Sequence, residues 1–328
     1  MESKIKNILV IRNDRFGEFL LNIPAIRALK ETYPLAKLTL AVHPLVKELA
    51  DVVESVDEAV IWDEQFRKDL RKQKFDLCVI LNSTKEANWA VFWAGIPVRV
   101  GYDRKWGFLL THRLKDTKQL GNRHEVDCNL ELVGLIGARN GEIGLAQEGS
   151  ALPRALRPRS FLSVPHNDKY EFLQGAVAIH PFTSDPVKQW SLERFMELAG
   201  KITQELKAKV VFIGKTEDAR GIERSKDNLE ALDLVNKTNL MDLAAVLKQC
   251  RLLVTCDSGP MHLACAVGTP VIALFRNDLP GKTARRWGPW GKGHIVIEKP
   301  SLEDITVDEV MNSIIKTGLF HPPSVGSQ

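Results

Sequence analysis

The chain has 328 residues, 44% of them hydrophobic and 26% charged, which suits a globular protein with room for two domains of ordinary size. A formal net charge of +4 is too small to argue for a nucleic-acid partner, and no apolar run approaches the ~20 residues that span a bilayer. The first apolar run, Ile8 to Ile11, is too short for a signal peptide, so the expectation is a cytosolic protein without a transmembrane segment.

Ile8 to Ile11 is predicted as a buried strand, and the loop after it carries Asp14 and Glu18. One amphipathic helix should run from Phe19 to Tyr33, with Leu20, Ile23, Ile26 and Leu29 at helical spacing. Strands are then expected at Lys37–His43, Ala59–Trp62, Phe75–Leu81 and Val98–Tyr102. The helices between them fall at Pro44–Ser55, Glu64–Lys72 and Ala87–Ala94. Arg104 to Asn122 reads as loop. From Arg99 to Arg123 seven Lys or Arg accompany two Asp, which fits either a solvated surface or a landing area for an anionic substrate. His124 to Gly137 is a predicted helix with Val126, Leu130, Val133 and Leu135 inward. Gly141 to Asp168 is polar and weakly periodic, and reads as the end of the first domain and a linker. The expected domains are therefore 1–168 and 169–328.

Alternation resumes with a strand at Ala176–His180, a helix at Ser191–Leu206 capped by Ser191, and a strand at Lys209–Gly214. Glu217–Asp227 is expected to be helical, a short strand to begin near Asp233, and a helix to follow at Asn239–Cys250. Leu252–Cys256 is a strand buried on both faces. Asp257 to Pro260 form a turn, Met261–Val267 a helix stopped by Gly268 and Pro270, and Val271–Phe275 the next strand. Arg276–Gly293 is irregular, His294–Glu298 a last strand, Thr306–Thr317 a terminal helix, and His321–Gln328 a disordered tail. Such repeated strand–helix alternation implies parallel sheets with helices on both faces. The expected fold is α/β, with two Rossmann-like domains in tandem and a cleft between the carboxyl ends of their strands.

Several chemistries lack their motif. No Gly-x-Gly-x-x-Gly follows a strand, no Asp-x-Asp pair is present, and no Gly-x-Ser-x-Gly elbow occurs. Gly281-Lys-Thr resembles the end of a phosphate-binding loop, but Arg276 stands where the first glycine is needed. The five cysteines show no Cys-x-x-Cys or zinc spacing, and Cys78, Cys256 and Cys265 lie in apolar runs as reduced core residues would. No metal site is expected.

Three loops carry the chemistry. After Leu252–Cys256, a helix N-terminus at the end of a parallel strand suits an anion, and Asp257, Ser258 and His262 gather there. The plainer reading is a helix cap and a half-buried histidine. In Pro181–Trp190, Thr183 and Ser184 offer hydroxyl donors and Lys188 a point charge for a phosphate, or simply an exposed lysine. In the first half, Asp14 and Glu18 are acid/base candidates, although Glu18 could merely favour a helix dipole.

Gly17-Glu-Phe-Leu-Leu-Asn-Ile-Pro-Ala-Ile, Lys188-Gln-Trp-Ser and Asp257-Ser-Gly-Pro-Met-His-Leu-Ala together resemble the ADP-heptose:lipopolysaccharide heptosyltransferase family, glycosyltransferase family 9. The resemblance spans nearly the whole chain in the right order. It implies a GT-B fold with the acceptor on the N-terminal domain and the nucleotide-sugar donor on the C-terminal one. It implies inversion at the sugar with no metal and no other cofactor. By position, Glu18 stands where the family has a catalytic aspartate after glycine, a departure that lengthens the side chain by a methylene; Asp14 is the reserve base. Lys188 matches the phosphate-contacting lysine. Asp257, Ser258, Gly259 and His262 match the diphosphate turn, and the N–H groups around Ser258 to Met261, with Pro260 fixing the first helical turn between them, are implied to meet the charge of the leaving ADP. Glu217 falls near the ribose contact and Thr238 near the adenine contact. The implied partners are a nucleotide-sugar and an anionic glycolipid, met in the cytoplasm or at the inner membrane face. Three other readings remain open: a GT-B transferase with another donor or acceptor, a non-catalytic nucleotide-sugar sensor, and a GT-B-like epimerase.

Overall fold

The computed structural model describes residues 5–138, 160–217 and 231–320. They form two compact units, 5–138 with 161–163, and 160 with 164–217 and 231–320. The first holds a sheet of β1 (Asn7–Arg12), β2 (Lys37–Val42), β3 (Glu58–Ile61), β4 (Leu77–Ile80), β5 (Val98–Tyr102) and β6 (His112–Leu114). All pairs are parallel, in the order β3-β2-β1-β4-β5-β6. The second holds β7 (Val177–His180), β8 (Val210–Phe212), β9 (Ala231–Asp233), β10 (Leu252–Cys256), β11 (Val271–Arg276) and β12 (Ile295–Lys299). These are also parallel, in the order β12-β11-β10-β7-β8-β9.

The two orders are the same doubly wound pattern. Each chain half steps outward for two crossovers, then returns to the far side of its first strand. Strand order therefore reverses between β1 and β4, and between β7 and β10. At such a reversal the flanking loops part and leave a crevice at the carboxyl ends of the strands. The central strands are apolar throughout because helices cover both faces: Ile8, Leu9 and Val10 are fully buried, as are Leu252, Leu253 and Val254. Leu9, Ile11, Cys78, Ile80 and Val91 belong to one core. Trp190, Phe195, Phe212, Ile272 and Val310 belong to the other. Each such side chain contributes roughly 1.5–3 kcal/mol on burial.

Several expectations need correction. The helix expected from Phe19 to Tyr33 is two, Phe16–Leu20 and Ile23–Thr32. Pro24, in the first turn of the second helix, has no N–H to donate back into a preceding turn, so the chain restarts there. Glu18 consequently lies inside a helical turn, not ahead of the helix. Pro44–Ser55 shortens to a 3₁₀ turn, Pro44–Val46, and a helix, Lys47–Asp51. The basic loop contains β6, whose His112 pairs in register with Val100. Leu135 is 39% exposed, while Leu132 turns inward instead. β9 ends at Asp233 where a strand was expected to begin. A short helix, Ala284–Trp287, interrupts the irregular loop. The expected helix beyond Glu217, the linker over 141–159 and the tail at 321–328 lie outside the described residues.

All five cysteines are buried free thiols. Burial pushes Cys250, Cys256 and Cys265 up to about 12, so they stay protonated core residues.

Candidate active site

In the second unit the singled-out residues gather at the strand reversal. Lys188 ends a 3₁₀ turn, Pro186–Lys188, in the loop after β7. Its ammonium pairs with a carboxylate oxygen of Asp257, which follows β10, so the ion pair bridges the two strands between which the order reverses. Asp185 accepts from Val187 N at 3.3 Å and receives Lys282 Nζ at 3.2 Å. The Lys282 ammonium holds the Asp185 carboxyl below the usual carboxylate range. Thr183 Oγ1 braces the same turn, 3.0 Å from Asp185 N and 3.1 Å from Asp185 O. Ser184 is exposed beside it.

Ser258 occupies the N-cap position of the helix Gly259–Val267 but makes no capping hydrogen bond. Its hydroxyl lies 3.0 Å from Thr255 Oγ1, which lies 3.0 Å from His180 Nδ1. Diverting the cap side chain leaves the first-turn amides to meet an anion. Among those residues Pro260 has no N–H, so Gly259 and Met261 carry the donors. The Met261 side chain is fully buried, and only its backbone can serve the site. His262 is buried one turn into the helix. His180 is buried too, and desolvation lowers its pKa to about 4, so the ring is neutral at pH 7. Gly214, at φ +127°, fits closely against it: a Cβ there would sit 2.7 Å from His180 Cδ2 and 2.8 Å from Phe182 Cδ2.

Glu217 and Thr238 lie in the loops after β8 and β9. Asn236, itself left-handed at φ 60°, ties those loops together: its Oδ1 accepts from Thr216 N at 3.0 Å and its Nδ2 donates to Thr216 O at 2.8 Å. Glu217 is exposed and Thr238 buried. The loops bearing Thr238, Glu217, Lys188 and Asp257 thus follow β9, β8, β7 and β10, four successive strands along one carboxyl edge.

In the first unit, the loop after β1 brings Asp14 and Glu18 close enough for their charges to interact. Arg12 Nε lies 2.6 Å from Asp14 Oδ1, and Arg12 Nη1 donates to Leu81 O at 3.2 Å, across the β1/β4 reversal. Burial nevertheless dominates and holds the Asp14 carboxyl above the usual range, helped by Glu18 and opposed by Arg12 and Lys118. Glu18 is half-buried, with exposed Arg15 3.9 Å away, and its backbone carbonyl accepts from the buried Asn22 side chain.

Some functional candidates escaped the sequence reading. Lys118 belongs to the basic 99–123 segment, yet its side chain is only 11% exposed. It pairs with Glu125, donates to Asn129 Oδ1 at 2.8 Å and sits 4.4 Å above the Tyr102 ring. Burial lowers its pKa, opposed by Glu125. The available signal was Glu125 and Asn129, two polar residues four apart on an otherwise apolar helix face. Lys282, set aside with the glycine-lysine-threonine run, reaches the Lys188 loop through Asp185. His180 ends an apolar strand at a reversal point, and that placement alone could have marked it. Among the described residues one group has metal-ligand spacing, His166 with Asp168 and Glu171, exposed on the segment leading to the amino end of β7. Also among the described residues, no helix is long and apolar enough to cross a membrane.

Comparison with known proteins matches residues 64–311 to the family model of glycosyltransferase family 9 (heptosyltransferase). A candidate glycosyltransferase of Haemophilus influenzae is 25% identical over 96% of this chain and 97% of its own length. The lipopolysaccharide core heptosyltransferase OpsX of the same organism is 23% identical, over 85% of this chain and 81% of its own. Among solved structures, a family 9 glycosyl transferase from Veillonella parvula superposes with a TM-score of 0.80 at 19% identity, covering 97% of this chain and 98% of that one. The Escherichia coli ADP-heptose lps heptosyltransferase II gives 0.74 at 21% identity, over 95% and 98%. Both units keep the Rossmann-like order of that GT-B fold, and the family match, from residue 64 to 311, takes in the later part of the first unit and most of the second. The chain therefore belongs to glycosyltransferase family 9, the heptosyltransferase family, and is a glycosyltransferase.

Proposed function

We propose that the protein transfers heptose from ADP-heptose to a hydroxyl of a lipopolysaccharide inner-core acceptor, inverting the anomeric centre without a metal or other cofactor. The observation that carries this is the Lys188–Asp257 pair beside the uncapped Gly259–Val267 helix. An ammonium group and the amides of a helix start form a cradle for diphosphate charge. The names of the relatives supply the donor and acceptor class: a lipopolysaccharide core heptosyltransferase, and an E. coli heptosyltransferase solved with ADP.

In this reading Glu18 takes the proton of the acceptor hydroxyl, with Asp14 beside it as second candidate. The freed oxygen pair bonds to the anomeric carbon from the face opposite the diphosphate. The bond to the leaving ADP oxygen breaks, and its electron pair ends on the diphosphate. Lys188, the Gly259 and Met261 amides, and the Thr183 and Ser184 hydroxyls meet that growing charge. Asp257 holds the Lys188 ammonium in place, because a carboxylate placed directly against phosphate would repel it. Ser258 leaves the helix amides uncapped, and His262 backs the turn. Glu217 serves the ribose hydroxyls and Thr238 the adenine. The acceptor is an anionic glycolipid of the cytoplasmic membrane face.

A mass-spectrometric screen of ADP-, UDP- and GDP-sugars, with EDTA present, tests this directly. Release of ADP from ADP-heptose coupled to acceptor glycosylation is expected. Glu18→Gln should lower kcat by roughly two orders of magnitude or more, as removal of a general base does, while ADP still binds. Turnover from another nucleotide-sugar replaces the donor, and tight binding with no turnover makes the protein a sensor. Near-normal kcat in Glu18→Gln with a large loss in Asp14→Asn reassigns the base.

A further inference from the structure

The first unit exposes an aromatic cluster that serves neither its core nor the candidate active site. Trp89, Phe92 and Trp93 lie on the helix Lys85–Trp93, with Trp106 and Phe108 on the loop after β5. All five are between 41% and 69% exposed. Trp89 meets Trp93 at 5.4 Å and Trp106 at 5.5 Å between ring centroids, both edge to face. Phe92 meets Trp93 edge to face at 6.3 Å, and Phe108 follows two residues after Trp106 in the chain; clustered exposed aromatics of this kind mark an interaction site.

The backbone that presents Trp106 is strained. Lys105 and Trp106 are consecutive left-handed residues at φ 48° and 71°, a conformation that bulky side chains avoid. The loop is held there by Asn88, fully buried on the helix, whose Nδ2 donates to Lys105 O at 2.8 Å. The next residue is a closely fitted glycine: a Cβ on Gly107 would lie 3.1 Å from Tyr102 O and would push the exposed Asp103 carboxylate aside. That turn holds the Trp106 ring against Trp89 with 41% of the residue still exposed.

The rim is basic. Its acids are each matched by an arginine: Glu86 by Arg67, Asp103 by Arg113 and Asp116 by Arg104. That leaves Lys85, Lys105 and Lys115, exposed and without an ion pair among the described residues. Lys85 also lies 5.7 Å from the Trp106 ring centroid, and the Arg99 guanidinium 5.5 Å from that of Phe92.

We propose that this face docks on a bilayer containing anionic lipid. Tryptophan prefers the headgroup layer, where its ring is buried and its N–H stays wet, and lysines beside it attract anionic headgroups. A second copy of the chain would bring two lysine rims together and repel. A sugar would want a flat platform, but the rings cross at 67° and 68°. The inference rests on the reading above in that the acceptor is a membrane glycolipid; it adds the residues that bring the enzyme to that membrane.

The test is co-sedimentation of the full chain with vesicles of phosphatidylcholine, with and without phosphatidylglycerol. The protein should partition onto phosphatidylglycerol vesicles and release in high salt. The pair Trp93→Ser with Phe108→Ser should lower partitioning about tenfold or more, and Lys85→Glu with Lys105→Glu should do the same. Circular dichroism and ADP calorimetry should be unchanged in both. No partitioning by the parent protein, or unaltered partitioning by the variants, overturns the proposal. So does light scattering that shows a dimer broken by these substitutions, or competition by a soluble phosphorylated oligosaccharide. Vesicle binding without ADP binding would keep the docking face and remove the ADP-sugar donor proposed above; ADP binding without vesicle binding does the reverse.

Discussion

In the proposed donor site, the Lys188–Asp257 pair would ready a charge for the diphosphate. The lysine alone would be a flexible ammonium; the carboxylate across the strand reversal fixes its position. Lys188→Ala removes the charge and leaves Asp257 facing the phosphates. ADP affinity by calorimetry should fall roughly ten- to hundredfold, the size of a charge-assisted contact; an unchanged Kd would remove Lys188 from the site. His180 sets a different constraint. Burial lowers its pKa to about 4, so the folded protein resists a proton that the unfolded chain accepts near pH 6.5. Its contribution is present above pH 6.5 and is lost as pH falls toward 4. Between pH 7 and 4.5 that loss is on the order of 2–3 kcal/mol. His180→Gln should therefore show a shallower loss of stability in urea melts at those two pH values. His294, half-buried and also lowered to about 4 by desolvation, keeps its share in both proteins. Equal slopes would mean that His180 is not shielded from protons.

Individual elements divide by whether their signals are local. Ser191 was legible as a cap, and it accepts from Arg194 N at 3.3 Å. Leu252–Cys256 was readable to the residue because a strand covered on both faces is an unbroken apolar run with a turn after it. The helix expected over 19–33 was not, since its apolar spacing continues across the break and only Pro24 marks it. β6 was missed because an edge strand of three residues, half of whose surroundings are solvent, needs no apolar pattern. Gly214 stands between these cases. Its position before Glu217 was plain in the chain, but its reason is spatial, since His180 and Phe182 occupy the space a side chain would need. Gly214→Ala, strained both by φ +127° and by a 2.7 Å contact, should lower Tm by several degrees and weaken ADP binding with it. Full stability and affinity in that variant would show that the His180 loop yields freely.

For the molecule as a whole, two doubly wound units were deducible from strand and helix alternation. Each period is written in neighbouring residues, and parallel strands with helical crossovers admit few topologies. The three motifs and the family they resemble were likewise carried by short contiguous runs. What lay beyond the sequence were the relations between distant residues. Arg12 reaches Leu81, Lys188 pairs with Asp257, and Lys118 is drawn out of the basic surface to Glu125 and Asn129. The same holds for the aromatic face. Trp89 and Trp93 look like core residues of a helix until Asn88 is seen holding Trp106 beside them in solvent. Local pattern records what a residue prefers, burial or a turn or a cap. Which charges meet, and which apolar side chains go uncovered, depends on strand order and crossover packing, which bring together residues tens of positions apart.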